Sequence, residues 1–127
     1  MNLPIQKAFK LLDAYEKIRT QKLPIKTAYK FTKIFSEIEK ETDFYYTKLK
    51  EIIDSYAARD ENGQVIPADD GNGVKIKEDS IPACQAEINE LASLEVILPD
   101  IYFSLEEMEK LELTVDEFSL FLPFIKE

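Results

Sequence analysis

The sequence predicts a mainly α-helical fold: a long central helix packed with two antiparallel helices, a small β-hairpin at its distal end, and short C-terminal helices. Three observations carry this expectation. Between Pro24 and Ala58 the apolar residues recur at alternating intervals of three and four, through Ala28, Phe31, Phe35, Ile38, Thr42, Tyr45, Leu49, Ile52 and Tyr56. That period is the signature of a helix with one buried face, and at about 1.5 Å rise per residue the helix would be roughly 50 Å long. Two shorter runs of the same period flank it. The glycines are confined to residues 63–73, where a turn is required and a helix is excluded.

The first helix is expected from Pro4 to about Thr20, with Pro4 at the first helical position, where its missing N–H costs nothing. Ile5, Ala8, Leu12 and Tyr15 form its seam, widened by Phe9, Leu11 and Ile18. The opening phrase Leu3-Pro4-Ile5-Gln6-Lys7-Ala8-Phe9-Lys10 returns as Leu23-Pro24-Ile25-Lys26-Thr27-Ala28-Tyr29-Lys30. The similarity fades after Lys30, so it reads as shared helix-start grammar rather than a repeat array. The central helix is flanked by Ile34, Tyr46 and Ile53, a stripe wide enough for two neighbours and too aromatic for a narrow parallel zipper. Lys26, Lys33 and Lys40 recur opposite the seam as a solvated face.

After Tyr56 the period breaks at Arg59-Asp60-Glu61-Asn62-Gly63, whose Asn-Gly suits the positive backbone angles of a turn. Short strands at Gln64–Pro67 and Val74–Lys77 then bracket a polar loop, as in a β-hairpin. A third helix follows from Ile81 or Pro82 to Glu95, burying Cys84, Ile88 and Leu91 and folding back along the distal half of the central helix. Val96-Ile97-Leu98 and Ile101-Tyr102-Phe103 read as extended pieces. Ser104 with Glu107, and Thr114 with Glu117, each match the capping box of a helix start. Residues 1–127 are expected to form a single helical domain whose acidic, aromatic tail is residues 96–127.

Composition limits the chemistry. The chain has no histidine, the commonest general base and transition-metal ligand, and its one cysteine, Cys84, permits no intrachain disulfide and reads as a core thiol. Asp69-Asp70-Gly71-Asn72-Gly73 resembles a calcium loop only until Gly73 is aligned with the invariant glycine, which puts Ala68 at the first ligand position. There is no phosphate-binding glycine loop, no serine-centred nucleophile motif and no paired-cysteine zinc spacing. These absences argue for a protein that is not an enzyme and holds no metal or cofactor. No apolar stretch approaches the length of a membrane span and no signal peptide is visible, so the expected location is the cytoplasm.

The net charge of −9 is uneven: residues 1–33 hold eight Lys or Arg against two acids, and residues 34–127 hold eight against twenty-three. A basic ridge for nucleic acid would need a cluster of Asn, Gln or Arg for base contacts, which these helices lack. The polarity is better accounted for internally, with the acidic tail lying along the basic helices. Phe118, Phe121, Leu122, Phe124 and Ile125 make that tail more apolar than a lone surface segment tolerates. A protein-contact surface is therefore sought at Phe118, Phe121 and Phe124, with Tyr45 and Tyr46 on the central helix. The reading favoured for these rings is that they belong to the core.

Leu23-Pro24-Ile25-Lys26-Thr27-Ala28-Tyr29-Lys30 opening a long helix, the turn Arg59-Asp60-Glu61-Asn62-Gly63, Ile88-Asn89-Glu90-Leu91 leading to Glu95-Val96, and the closing Leu122-Pro123-Phe124-Ile125 resemble a family of small acidic proteins of tailed phages and prophages. The resemblance implies a phage origin and carries no activity or site residues. The functional expectation is a non-enzymatic protein-interaction module, an accessory or assembly factor of a phage whose partner is a phage or host protein or a second copy of the chain. The competing reading is an inhibitor that occupies a host nucleic-acid enzyme or defence protein with its acidic surface.

Overall fold

A computed structural model describes residues 1–126 and shows a small, mainly α-helical fold. In chain order the elements are β1 (Asn2–Pro4), α1 (Ile5–Ile18), α2 (Ile25–Tyr56), a 3-10 turn at Glu78–Ser80, α3 (Ile81–Ala92), β2 (Glu95–Ile97), α4 (Leu105–Glu109), α5 (Val115–Leu120) and a second 3-10 turn at Leu122–Phe124. The sequence predicts one domain. The folded chain divides into two compact units: Met1–Asp43 with everything from Leu94 onward, and Phe44–Ser93. Helix α2 contributes its first half to one and its second half to the other.

In the first unit the N-terminal strand pairs with a strand distant in sequence. β1 runs antiparallel to β2 in the register Asn2↔Ile97, Leu3↔Val96, Pro4↔Glu95, with Leu3 and Val96 turned inward. The Leu98 N–H donates to Met1 O at 2.8 Å and the Ile5 N–H to Leu94 O at 3.0 Å, extending the ladder at both ends. Pro4 is thus the last strand residue and the helix cap, at φ −57° and ψ 139°, and α1 starts at Ile5. Proline's fixed φ serves an extended backbone as well as a first helical turn, and tertiary pairing selects the former.

The seam of α1 is displaced from the expected one. Ile5, Ala8, Leu11, Ala14 and Ile18 are buried, and Leu12 and Tyr15 are half-buried. Ala8 and Ala14 leave room for close neighbours on both sides: α5 packs on one side of α1, while Tyr15 stacks on Phe35 of α2 with ring centroids 3.9 Å apart. On α2 full burial covers Thr27, Phe31, Ile34, Phe35, Ile38 and Thr42, then stops. Phe31 lies 4.3 Å from Phe103 and meets Phe121 edge-on at 6.0 Å, the favoured offset and T-shaped geometries of aromatic pairs.

The C-terminal segment is tied down by a parallel bridge between Phe103 and Ile125, in which the Phe103 N–H donates to Phe124 O at 2.7 Å and the Lys126 N–H to Phe103 O at 2.9 Å. The extended piece at residues 101–103 therefore pairs with the end of the chain. Both capping boxes form as predicted, with the Ser104 and Thr114 side chains accepting from the Glu107 and Glu117 N–H groups and each carboxylate bonding back to its cap backbone.

In the second unit the expected hairpin contains the bridge Pro67↔Val74, and a third segment joins it through Arg59↔Val65 and Ala57↔Ile76. Each of the three short segments thus bridges both others, with Ala58 N–H to Lys75 O, Ile66 N–H to Ala58 O and Lys75 N–H to Ile66 O at 2.8–3.0 Å. At the first turn Asp60 Oδ1 accepts from the Asn62 and Gln64 N–H groups, and Gly63 alone takes a positive φ of 78°. Helix α3 buries Cys84 and Leu91 and ends at Ala92, three residues before the predicted end, because Glu95 is already in β2.

Candidate protein-binding surface

Two of the five predicted contact residues are internal. Phe121 is 2% exposed and Phe124 1%, with Phe121 lodged against Phe31, Phe35 and Phe124. Both rings are enclosed within the first unit. The 3-10 turn at Leu122–Phe124 and the Phe103↔Ile125 bridge fold this tail inward and leave Leu122 outside. Phe118 and Tyr45 are half-buried. Tyr46, at 59% exposure, is on the surface, and its ring meets that of Tyr45 edge-on at 5.9 Å.

The acidic tail does lie along the basic helices. Lys17 Nζ of α1 is 3.0 Å from Glu117 Oε1, and Lys30 Nζ of α2 is 2.8 Å from Glu107 Oε1. Glu107 Oε2 also accepts from the buried Thr27 hydroxyl at 2.9 Å. Both carboxylates are the capping-box acids, so each holds its own helix start and clasps a basic helix. Burial pushes the Glu107 carboxyl up, but the Lys30 hydrogen bond, the Ser104 N–H, the Thr27 hydroxyl and the Lys30 charge outweigh it and hold the pKa down to about 2. The Thr114 N–H and then Lys17 lower that of Glu117.

An apolar groove of about 530 Å³ in the first unit went unnoticed in the sequence. It is lined by Ile25, Lys26, Tyr29 and Lys30 from the start of α2 and by Asp100, Ile101 and Tyr102 from the link after β2. Ile25 is 88% exposed and Tyr29 60%, on the side of α2 away from Phe31 and Phe35. Lysines stand over the rings: Lys33 Nζ is 5.7 Å from the Tyr29 centroid and Lys126 Nζ 4.7 Å from that of Tyr102, within cation–π range. The one acid in the lining, Asp100, is paired with the N-terminal amine at 3.1 Å. A signal existed in the sequence: Ile25 and Tyr29 are apolar, one turn apart and off the seam. Their second wall comes from residues about seventy-five positions later, which no local pattern connects to them.

Elsewhere, burial first and then Glu87 raise the Cys84 thiol pKa, and the Tyr56 hydroxyl, hydrogen-bonded to Glu87, is raised too. Among the described residues no group of three or more Cys, Asp or Glu side chains is arranged to hold a metal ion, and no helix is long and apolar enough to cross a membrane. Comparison with protein families, with curated proteins and with solved structures gives no match to this chain.

Proposed function

We propose that this chain is a non-enzymatic protein-interaction module, acting as an accessory or assembly factor in the phage setting that its sequence resemblance implies. The observation that supports the reading is the open groove of Ile25, Tyr29, Ile101 and Tyr102, an apolar and aromatic surface lined on the same rim by lysines. Contiguous exposed apolar surface is costly in water and marks interaction sites, and tyrosine is enriched where binding energy concentrates. In this reading the groove takes the place of buried Phe121 and Phe124 as the contact surface.

The test is affinity capture of the tagged protein from phage-infected and uninfected host lysate at physiological salt, with bound proteins identified by mass spectrometry. Capsid or tail proteins retained from the infected sample alone are the expected result. A host nuclease, polymerase or defence protein retained from both samples would replace this reading with that of an inhibitor, for which the excess of acids in residues 34–127 is the supporting observation. Retention of no protein from either lysate would remove both.

A further inference from the structure

We infer that the groove between α2 and residues 100–102 takes a short linear segment of a partner protein, in which an aromatic or leucine side chain is flanked by aspartate or glutamate. This rests on the interaction-module reading and specifies its partner. Three features of the groove select that occupant.

The first is its openness. A cleft that binds a small molecule encloses most of its guest, whereas here one wall is made by Ile25 and Tyr29, themselves largely exposed. Such a groove buries one or two side chains, so its occupant needs flanking groups that bind outside it. A peptide supplies them, as in recognition by helix-borne or extended anchors.

The second is charge. Lys26 and Lys30 line the groove, and Lys33 and Lys126 stand over its two tyrosines. Lys30 is paired with Glu107 and Asp100 is the one acid in the lining, so the lysines gathered at the groove, Lys26, Lys30, Lys33 and Lys126, outnumber these two acids. On a chain of net charge −9 this is a local reversal, and it selects carboxylates beside the anchor while repelling basic segments. A single-stranded nucleic acid would also meet lysines and aromatic rings here, but the acidic body opposes a polyanion far more than a segment with two or three carboxylates.

The third is the lining. Ile25 and Ile101 add branched aliphatic surface to the lining beside Tyr29 and Tyr102, which suits an apolar side chain better than the flat face of a base. The lysine ammoniums already sit against the tyrosine faces, so a cationic guest at the rings meets like charge.

The experiment is selection of a yeast-displayed library of random peptides on the full chain, counter-selected on the variant carrying Ile25→Ser and Tyr29→Ser. Both residues are exposed, and circular dichroism of the variant establishes that its fold is kept. The expected consensus is Phe, Trp or Leu between Asp or Glu residues. A synthetic peptide of that consensus should bind the Tyr29→Ser chain, the Lys26→Glu chain, or wild type after its acids are changed to amides, about tenfold more weakly in each case. No enrichment that depends on Ile25 and Tyr29, a basic consensus, or tighter binding of oligo-dT than of the peptide would each overturn the proposal. If lysate capture retains a partner equally well on the Ile25→Ser, Tyr29→Ser chain, the groove assignment fails while the interaction-module reading stands.

Discussion

Glu107 Oε1 lies 2.8 Å from Lys30 Nζ, and the same oxygen accepts the Ser104 N–H at 3.0 Å. One carboxylate therefore completes the cap of α4 and fastens that helix to α2, seventy-seven residues earlier in the chain. The link is local in one direction and tertiary in the other, which makes Glu107 unusually consequential for a residue in a five-residue helix.

Glu107→Ala removes a half-buried carboxylate that serves Lys30, Thr27 and Ser104 together, and is expected to cost about 2–3 kcal/mol in urea denaturation. The pH dependence follows from its depressed pKa. A glutamate ordinarily titrates near 4.5 and this one near 2 when folded, so between those values the unfolded chain binds the extra proton. Its stabilisation is complete above about pH 5 and lost as pH falls through the folded pKa, amounting to about 2 kcal/mol once solvent screening of a part-open site is allowed for. Stability measured from pH 6 to pH 2 should fall less steeply in Glu107→Gln than in wild type. Parallel slopes would show that Glu107 carries none of the dependence.

Phe121→Ala should destabilise by about 3–5 kcal/mol, because the ring is enclosed by Phe31, Phe35 and Phe124 and its removal leaves a cavity. Tyr46→Ala should stay within about 0.5–1 kcal/mol, as befits a mostly exposed ring. Guanidinium denaturation of the two variants separates core from surface. Similar losses would contradict the burial assigned to them.

Thr114→Ala deletes the hydroxyl that accepts the Glu117 N–H at 3.2 Å and should cost about 1 kcal/mol. The same change in the double variant with Lys17→Met should cost less, since Glu117 answers to both groups. A double-mutant cycle in thermal denaturation measures that coupling, and strict additivity would show cap and clasp to be independent.

Cys84 is buried and its thiol pKa is raised, first by burial and then by Glu87. Modification by an aromatic disulfide reagent at pH 8 should therefore be slow in the native protein and should accelerate at least about a hundredfold in denaturant, since the thiolate is the reactive form. Rapid native labelling would place the thiol at the surface.

In the second unit the fully buried apolar residues are Ala57, Cys84 and Leu91, whereas the first unit encloses Phe31, Phe35, Phe103, Phe121 and Phe124 among others. Local stability follows burial. Hydrogen exchange should show amides of α3 and the bridged segments opening at lower free energy than those of residues 31–38 in α2. Equal protection would mean that the two units unfold as one.

Helix starts were legible in the sequence wherever local groups decide them. Pro4 and Pro24 each stand immediately before a helix, although pairing with β2 makes Pro4 a strand residue and starts α1 at Ile5, and Ser104, Glu107, Thr114 and Glu117 cap theirs as their spacing predicts. Cap hydrogen bonds and proline's fixed angle act within a few residues, so a window of that length contains the information. Burial is decided by what arrives from elsewhere. Ile5 and Ile25 hold the same place in the same phrase, yet Ile5 is 2% exposed, beside β2 from the far end of the chain, and Ile25 is 88% exposed on the groove wall. The same distinction sends Phe121 into the core and gives Tyr29 its partner wall from Ile101 and Tyr102. Helix, cap and turn were thus determined by the sequence alone through short-range hydrogen bonds and backbone angles. Which apolar faces are covered and which stay exposed was decided only by the tertiary structure, because burial depends on contacts between segments far apart in the chain.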